Sequence, residues 1–570
     1  MFRKNEQHLQ TPLFSSINAL PEKLQERLKE SWSGTFYREF FVRIDETPFA
    51  VLYSDEASRP NIPINVLVGM ETLKSGFGWS DEEMYDHFCY DVQVRYALGY
   101  RDLSEGHFEL RTVYNFRRRM TQHMQETGEN LIEAAFEQVT DEQIDAFELK
   151  SNKLRMDSTL IASNIREMSR LQLLVEVLQR VHRMLSEPDQ QQYVEAFAPY
   201  LKGSSGQYIY HLKGEESQAH LQRIGELMQQ LPAELPGTYA DEPAYQVLER
   251  VFKEHFVSRE SELQVKAHQE LSASSMQSPD DREATYRQKR GQGHQGYVSN
   301  VTETCDPDNP FQLIVKMQTE PNNTDDAAML AEALPDLTDR MDVEQMDTDG
   351  GYNSPEVDTA MREHHVVQIQ TAIRGRKPAA EKLGLDDFEW ETSAEGQPQT
   401  VTCPHGQQVE VTLARKEFRY RAAFETPTCE HCPLLAQCPT QTLKRKPKNV
   451  LGFSQAELDL ALRRQRSADA RTRKQNLRPA VEATVRAVKH PFGNGKVPVR
   501  GQPRVSMVMI GSAAMNNVRQ ITRYLASKTT KGTDGSSQGP CTSLFRSLLP
   551  RLAAYLSFAS PFEPVWACQI

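Results

Sequence analysis

Apolar residues recur at helical spacing from about residue 20 to residue 145. Asn65–Ser75 (NVLVGMETLKS) and Asp81–Leu98 each predict a helix, with Gly76–Trp79 as the break between them. Thr112–Met120 predicts another, in which Arg117, Arg118 and Arg119 stand beside Tyr114 and Phe116. That mixture suits a DNA-contacting helix, and equally an ordinary helix with a cationic end. Near residue 147 the period shortens, and Lys153–Asp157 predicts a short strand. Ser169–Leu185, Gln191–Tyr200 and Ser217–Gln230 return to i, i+3, i+4 spacing, as a helical insertion ending near Leu271. Strands follow at Gly296–Glu303 and Phe311–Thr319, then a helix at Asp325–Arg340 and a strand at Val343–Asp347. A helix at Pro355–Glu363 and a strand at Val366–Ile373 complete this run. A Cys-rich stretch intervenes before a long Arg-rich helix, Ser454–Lys489. Successive strands followed by alternating strands and helices predict a mixed α/β sheet.

The chain of 570 residues has room for about four domains or large insertions. The pattern divides it into N-terminal helices (1–145), a core (146–374, with a helical insertion over about 165–270) and a Cys-rich insertion (375–445). A second part of the core (446–528) and a linker and tail (529–570) follow, the linker opening on TTKGTDGSSQGP. No run approaches the roughly 18–20 apolar residues needed to span a bilayer. The first residues, MFRKNEQHLQTPLF, lack the apolar core of a secretory signal. Eight Cys in a chain this long do not make a disulfide framework. A reducing, cytoplasmic setting is predicted; membrane, secreted and fibrous classes are excluded.

Charge changes the picture. The net −12 argues against a polyanionic partner, but the charge is segregated. Residues 441–540 hold 20 Lys/Arg against 5 Asp/Glu, which makes that block +15 and leaves −27 on the remainder. Phosphate affinity depends on local cations, so the block is a candidate nucleic-acid surface; a solvated helical face is the plainer alternative.

Three carboxylates lie where such a sheet can gather them. Asp157 ends the predicted strand before Ser158 and Thr159. Asp349 follows the next strand, where Gly350 and Gly351 permit a tight turn. Glu482 sits on a predicted helix, with Arg478 and Lys489 on the same face. Two Mg²⁺ ions (or Mn²⁺) about 4 Å apart need hard oxygen ligands of this kind to cleave a phosphodiester. Taken singly, each residue is ordinary: a turn former, a cap, a surface i,i+4 pair. Asp347 competes with Asp349 for the second position, being two residues away on the same side of an extended strand.

Together these residues resemble the DDE transposases of bacterial insertion sequences, in the class with a Tyr-x2-Arg-x3-Glu-x6-Lys signature. Arg478, Glu482 and Lys489 match at every spacing, while Gln475 stands at the Tyr position. Asp349, Gly351 and Tyr352 match the family's Asp-x-Gly-Tyr motif, and Asp157, Ser158 and Thr159 its first motif. His294, Gly296 and Tyr297 match a His-x-Gly-Tyr strand, and Arg500–Gly501 with Asn516, Asn517 and Arg519 are similar to the family's C-terminal end. The resemblance spans about residues 40–525. It implies a ribonuclease H-like core and an N-terminal DNA-binding domain (1–145). It also implies two Mg²⁺ ions on Asp157, Asp349 and Glu482, and cleavage at transposon ends followed by joining of the 3′-hydroxyl to target DNA. Double-stranded DNA would contact Arg478, Lys489, His294, Arg117, Arg118 and Arg119, with a plain strand-edge histidine as the alternative for His294. A homodimer or higher oligomer would form on the DNA, without membrane, in a cytoplasmic, nucleoid-associated setting. An inactive DNA-binding descendant, or a nuclease that cuts without joining, is the alternative.

Cys403, Cys429, Cys432 and Cys438 form a second constellation. Four thiolates suffice for a closed, structural Zn²⁺ site, with His405 or His431 as substitutes. Strand-like flanks predict a zinc ribbon inserted before the Glu482 helix.

Overall fold

The computed structural model describes every residue except 11–14, 55, 57–59, 211, 236, 260–261, 372, 374–380, 394–395, 415–418, 443–447, 473–476 and 534–570. The N-terminal region is helical: Glu22–Glu30, Trp32–Glu39, Ile64–Phe77, Asp81–Tyr90, Val92–Ala97, Leu110–Thr127 and Leu131–Ala146. The helix predicted over Asp81–Leu98 is two. The Asp91 carboxylate accepts from the N–H groups of Gln93 and Val94, and so caps a new helix start.

Strand β1 (Lys153–Ala162) runs past the predicted end at Asp157, because antiparallel backbone pairing with a later strand carries the polar residues Ser158 and Thr159. The insertion follows, with helices Arg170–Met184, Glu187–Gln192, Val194–Phe197, Ser205–Tyr210, Ser217–Glu234 and Pro243–His255. The predicted helix Gln191–Tyr200 is thus two short ones. Antiparallel strands β2 (Phe256–Arg259) and β3 (Glu262–Val265) close the insertion, and its own core gathers Leu174, Leu178, Phe197, Ile224, Met228 and Leu248.

The chain then supplies β4 (Thr285–Lys289), β5 (Gln292–Thr304), β6 (Ile314–Pro321), β7 (Gln345–Thr348) and β8 (Val367–Gln370). The sheet runs β6-β5-β1-β7-β8, with β4 paired on the first residues of β5. β5 is antiparallel to β1 and β6, whereas β1, β7 and β8 are parallel. Helices Asp326–Arg340 and Pro355–Glu363 make the crossovers that parallel strands require. This is the mixed sheet expected, and it is consistent with a ribonuclease H-like core.

The Cys-rich segment is larger than a ribbon. Strands β9 (Glu389–Thr392), β10 (Pro398–Thr402), β11 (Gln408–Leu413), β12 (Arg419–Glu425), β13 (Gln441–Thr442) and β14 (Lys448–Ser454) form one antiparallel sheet. Phe388, Val401, Phe424, Leu451 and Phe453 are its core, and its last strand ends beyond the boundary drawn at 445.

The Arg-rich stretch predicted as one helix is two, Gln455–Thr472 and Val481–Lys489, the second entered through the single turn Arg478–Ala480. Pro479 explains the new start, since it has no N–H to donate back into a preceding helix. The last helix, Gln502–Thr533, enters the segment read as linker; the rest of the tail, with Cys541 and Cys568, lies outside the described residues. Contacts divide the chain into units Met1–Thr522 and Arg523–Ile570. Within the first, one core joins the N-terminal helices (Phe36, Leu67, Phe88, Phe116) to the sheet (Ile161, Tyr297, Ile314) and to Val488, Met509 and Val518. Among the described residues no helix is long and apolar enough to cross a membrane.

Asn517 ties this core to the sheet. Its amide accepts from the Ile314 N–H and donates to the Ile314 C=O, each at 2.8 Å. Nearby, burial together with the carboxylates of Glu332 and Glu133 pushes Glu320 up to about 7, against a hydrogen bond from Gln502. A raised folded-state value means stability that is full at low pH and lost as pH climbs from about 4.5 through 7. Discounted for solvent screening, Glu320→Gln should therefore gain about 1–2 kcal/mol at pH 8 and almost nothing at pH 4. Urea melts at the two pH values check this; an equal gain at both would refute the assignment.

Candidate active site

Parallel pairing of β1 with β7 sets Arg155 opposite Asp347. Carried two residues further, the same register brings Asp157 level with Asp349, which follows the end of β7. Asp349 is fixed by its own turn, its carboxylate accepting from the Gly351 N–H at 2.6 Å. Tyr352 anchors that turn: its buried hydroxyl donates to Asn300 on β5 at 2.7 Å.

The helix Val481–Lys489 lies over β1, with Val481 and Val488 buried. Alternate β1 residues face it and meet successive groups. Arg155 donates to the Leu477 carbonyl at 3.0 Å, Asp157 meets Arg478, and Thr159 accepts from Lys489 at 3.1 Å. The helix and strand are therefore held in register by polar contacts along the whole candidate site.

Arg478 is the hub. Its guanidinium lies 3.1 Å from the Asp157 carboxylate and 2.9 Å from that of Glu482, and Asp349 adds to its field. Burial works against the arginine's charge, but Asp157, Asp349 and Glu482 outweigh it and raise its pKa. Burial raises Asp157 most, Arg478 pulls it back, and Asp349 pushes it up again. The Glu482 side chain is 53% exposed against 13% for Asp157, so the cluster is open on the helix side. Arg478 thus joins two of the three predicted acids, Asp157 and Glu482, and Asp349 acts on it through its charge.

Among the described residues no group of three or more His, Cys, Asp or Glu side chains is gathered as a metal site. The donor chemistry of the three carboxylates suits a hard divalent cation, and Asp157 and Glu482 already pair with the cation of Arg478. Asp347, the competing second acid, is fully buried and accepts from Gln345 at 2.6 Å; burial pushes it up to about 6. It faces Arg155 beneath the site rather than the opening.

Lys489 is pinned by Thr159 and by the Leu160 carbonyl at 2.9 Å. Burial, and then neighbouring Lys289, depress its pKa. His294 sits on β5 opposite Arg287, beyond the acids. Gly296 and Tyr297 of the same motif are structural. Any Cβ on Gly296 (φ +138°) would stand 2.4 Å from the Ile161 carbonyl, and the Tyr297 hydroxyl donates to buried Asp281. Asp281 also accepts from the Gly501 N–H at 3.0 Å, which explains the Arg500–Gly501 signal. Arg519 is likewise structural, reaching the Gly76 carbonyl and the Phe77 ring.

Arg117 does not face outward. It is salt-bridged to Glu71 at 2.7 Å and to Asp81 at 2.7 and 2.9 Å, because its helix packs against two acidic neighbours. Arg118 and Arg119 are exposed. Gln475 lies outside the described residues.

Sequence reasoning missed Glu303. This buried carboxylate on β5 accepts from Arg155 at 2.7 Å and from Thr484 of the Glu482 helix at 2.8 Å. A lone acid at the end of the apolar strand GYVSNVTE was the available signal.

Cys403, Cys429, Cys432, Cys438 and His405 line one cavity of about 30 Å³. The Gln407 N–H and the Thr440 hydroxyl donate to Cys403 and Cys438, each at 3.3 Å. His431 points elsewhere, its ring 2.9 Å from the Pro427 carbonyl.

Residues 402–522 match the family model of the transposase DDE domain. The match supports a DDE transposase. No curated protein and no solved structure matches the chain. The matched stretch holds the four clustered cysteines, Arg478, Glu482, Lys489 and Asn517, whereas Asp157 and Asp349 precede it.

Proposed function

We propose that the protein binds the terminal inverted repeats of a transposable element, cleaves the phosphodiester at each end and joins the freed 3′-hydroxyl to target DNA. The observation that supports this most is the pairing of Asp157 and Glu482 with Arg478, with Asp349 adding its charge, beneath an open helix face. Those three carboxylates would hold Mg²⁺ or Mn²⁺, two ions in all. Such ions supply Lewis-acid activation of the attacking water or hydroxyl and stabilise the departing oxygen. Asp157 and Asp349 are held by strand pairing and by a glycine turn, so their orientation is preset. Arg478 and Lys489 hold the DNA phosphate on either side of Glu482, and exposed Arg118 and Arg119 serve the N-terminal DNA contact. Pairing two ends requires at least a dimer on the DNA, and the reaction belongs in the bacterial cytoplasm, at the nucleoid. Strand transfer conserves bond number and needs no nucleotide cofactor.

The test is incubation with a duplex carrying the repeat that flanks the reading frame, a target plasmid and Mg²⁺. End cleavage plus joined product is expected. Cleavage without joining makes the protein a nuclease, and binding without cleavage makes it a DNA-binding descendant.

Cys403, Cys429, Cys432 and Cys438 would hold a structural Zn²⁺, since four thiols already share one cavity. One zinc per chain is expected by elemental analysis, and Cys432→Ala is expected to release it and lower the melting temperature. A metal-free wild-type protein with unchanged melting on chelation would refute the site.

A further inference from the structure

A two-stranded arm stands beyond the central sheet. β1 stops pairing with β5 at Gly296 and β6 stops at Tyr297, so Gln292–Gln295 of β5 are paired by β4 alone. The arm turns at Arg290 (φ +53°) and Gly291 (φ +80°). Asparagine or glycine is the usual occupant where both turn residues are left-handed, and an arginine there is a conformationally costly choice that sets a long cation at the tip. Cross-strand partners share a side, so Lys289 and Gln292 face one way together with Arg287 and His294. Arg287 is tied back at the base, 3.8 Å from Asp326. Lys289 and Arg290 are exposed and make no ion pair among the described residues.

The other side of the arm is occupied. Tyr286, Gln288 and Gln295 line a cavity of about 940 Å³ shared with His255 and Met276 of the helical insertion, so the arm is braced from behind. The arm leaves the sheet at Gly296, which pairs with Ala162 on β1, five residues along that strand from Asp157. Lys289 approaches closely enough to depress Lys489, which is itself fixed on β1 two residues from Asp157 by its bond to Thr159. Lys496, exposed and held by the Ile165 carbonyl at 2.9 Å, extends the same row past the end of β1. Like charges brought together fit a polyanion. A two-stranded ribbon also has the width that the major groove of B-form DNA admits, about 12 Å. Gly291 leaves the turn slim, with no atom within 4 Å of where its Cβ would be.

We propose that residues 285–295 form a DNA-gripping arm, in which Lys289 and Arg290 contact the backbone of the double-stranded DNA flanking the bond held at Asp157, Asp349 and Glu482. This rests on the transposase reading and deepens it: the cations of the Glu482 helix hold one side of the duplex and the arm holds the other. His294, on the same side of the arm as Lys289, faces the groove.

Phosphate contacts release counterions, so each one lost reduces the slope of log affinity against log salt by about 0.9. The full-length protein is titrated into a fluorescein-labelled duplex of about 30 base pairs, of arbitrary sequence, over a range of KCl. The double variant K289A/R290A is expected to bind more weakly and to reduce the slope by about 2, whereas K289R/R290K keeps the wild-type slope. Arg183→Ala, a charge loss on the exposed face of the insertion, is expected to leave the slope unchanged. A wild-type slope in K289A/R290A overturns the arm alone. Absence of salt-dependent binding by the wild-type protein overturns the transposase reading and the arm with it.

Discussion

Asp157→Asn is expected to reduce end cleavage and strand transfer at least on the order of 10³-fold while leaving the fold and DNA affinity close to wild type. The residue stands in the middle of a strand paired there by β5, so the change removes a charge without disturbing backbone hydrogen bonds. It also removes one anion from around Arg478, which keeps Glu482 at 2.9 Å as a partner. Loss of one buried carboxylate opposite a cation is thereby partly offset, and stability should change by no more than about 1–2 kcal/mol. Binding depends on the cations around the site and persists. Measured cleavage of repeat-bearing duplex, alongside an affinity titration, separates the two effects; a variant that cleaves within tenfold of wild type would remove Asp157 from the mechanism.

Glu303→Ala should destabilise the protein more than any other single change near the site, by about 3–5 kcal/mol. Glu303 is 2% exposed and holds Arg155 on one oxygen and Thr484 on the other. Removing it strands a buried guanidinium without its ion-pair partner and cuts a bond between β5 and the Glu482 helix. Glu303→Gln keeps one acceptor oxygen for Arg155 and offers an amide N–H that the Thr484 hydroxyl can accept, but loses the charge, and should cost less. Denaturant titration is the check, and unchanged midpoints in Glu303→Ala would show that this cluster does not hold the helix down. Because Thr484 is two residues from Glu482, cleavage should fall even at temperatures where the variant stays folded.

The parts of the fold legible in the sequence are those with strong local signals. Pro355–Glu363 begins where Ser354 caps and Pro355 occupies the first turn, and Asp325 caps Asp326–Arg340 in the same way. Both starts are written in neighbouring residues. The lengths of β1 and β5 are not, because pairing with distant strands extends them across polar positions. The two-helix form of 454–489 was written in Pro479, but the surrounding Arg-rich periodicity masked it. The Cys-rich sheet was read as a ribbon because its strands are short and largely exposed, and their pairing is long-range.

The site divides along the same line. Spacing on one helix made Arg478, Glu482 and Lys489 visible together, while Asp157 and Asp349 meet only through the parallel register of β1 and β7. Arg117 illustrates the reverse: a cation beside aromatics looks like a DNA contact until packing supplies Glu71 and Asp81. Glu303 was hidden for a similar reason, since its partners lie on β1 and on a helix that arrives much later in the chain.

The central claim is that Asp157, Asp349 and Glu482 jointly grip divalent ions, and counting those ions tests it most directly. Mn²⁺ bound to the protein–DNA complex can be measured by electron paramagnetic resonance for the wild type and for Asp157→Asn. Two ions per site in the wild type, with at least one lost in the variant, is the predicted result. An identical count in both proteins, or none in the wild type, would contradict the account.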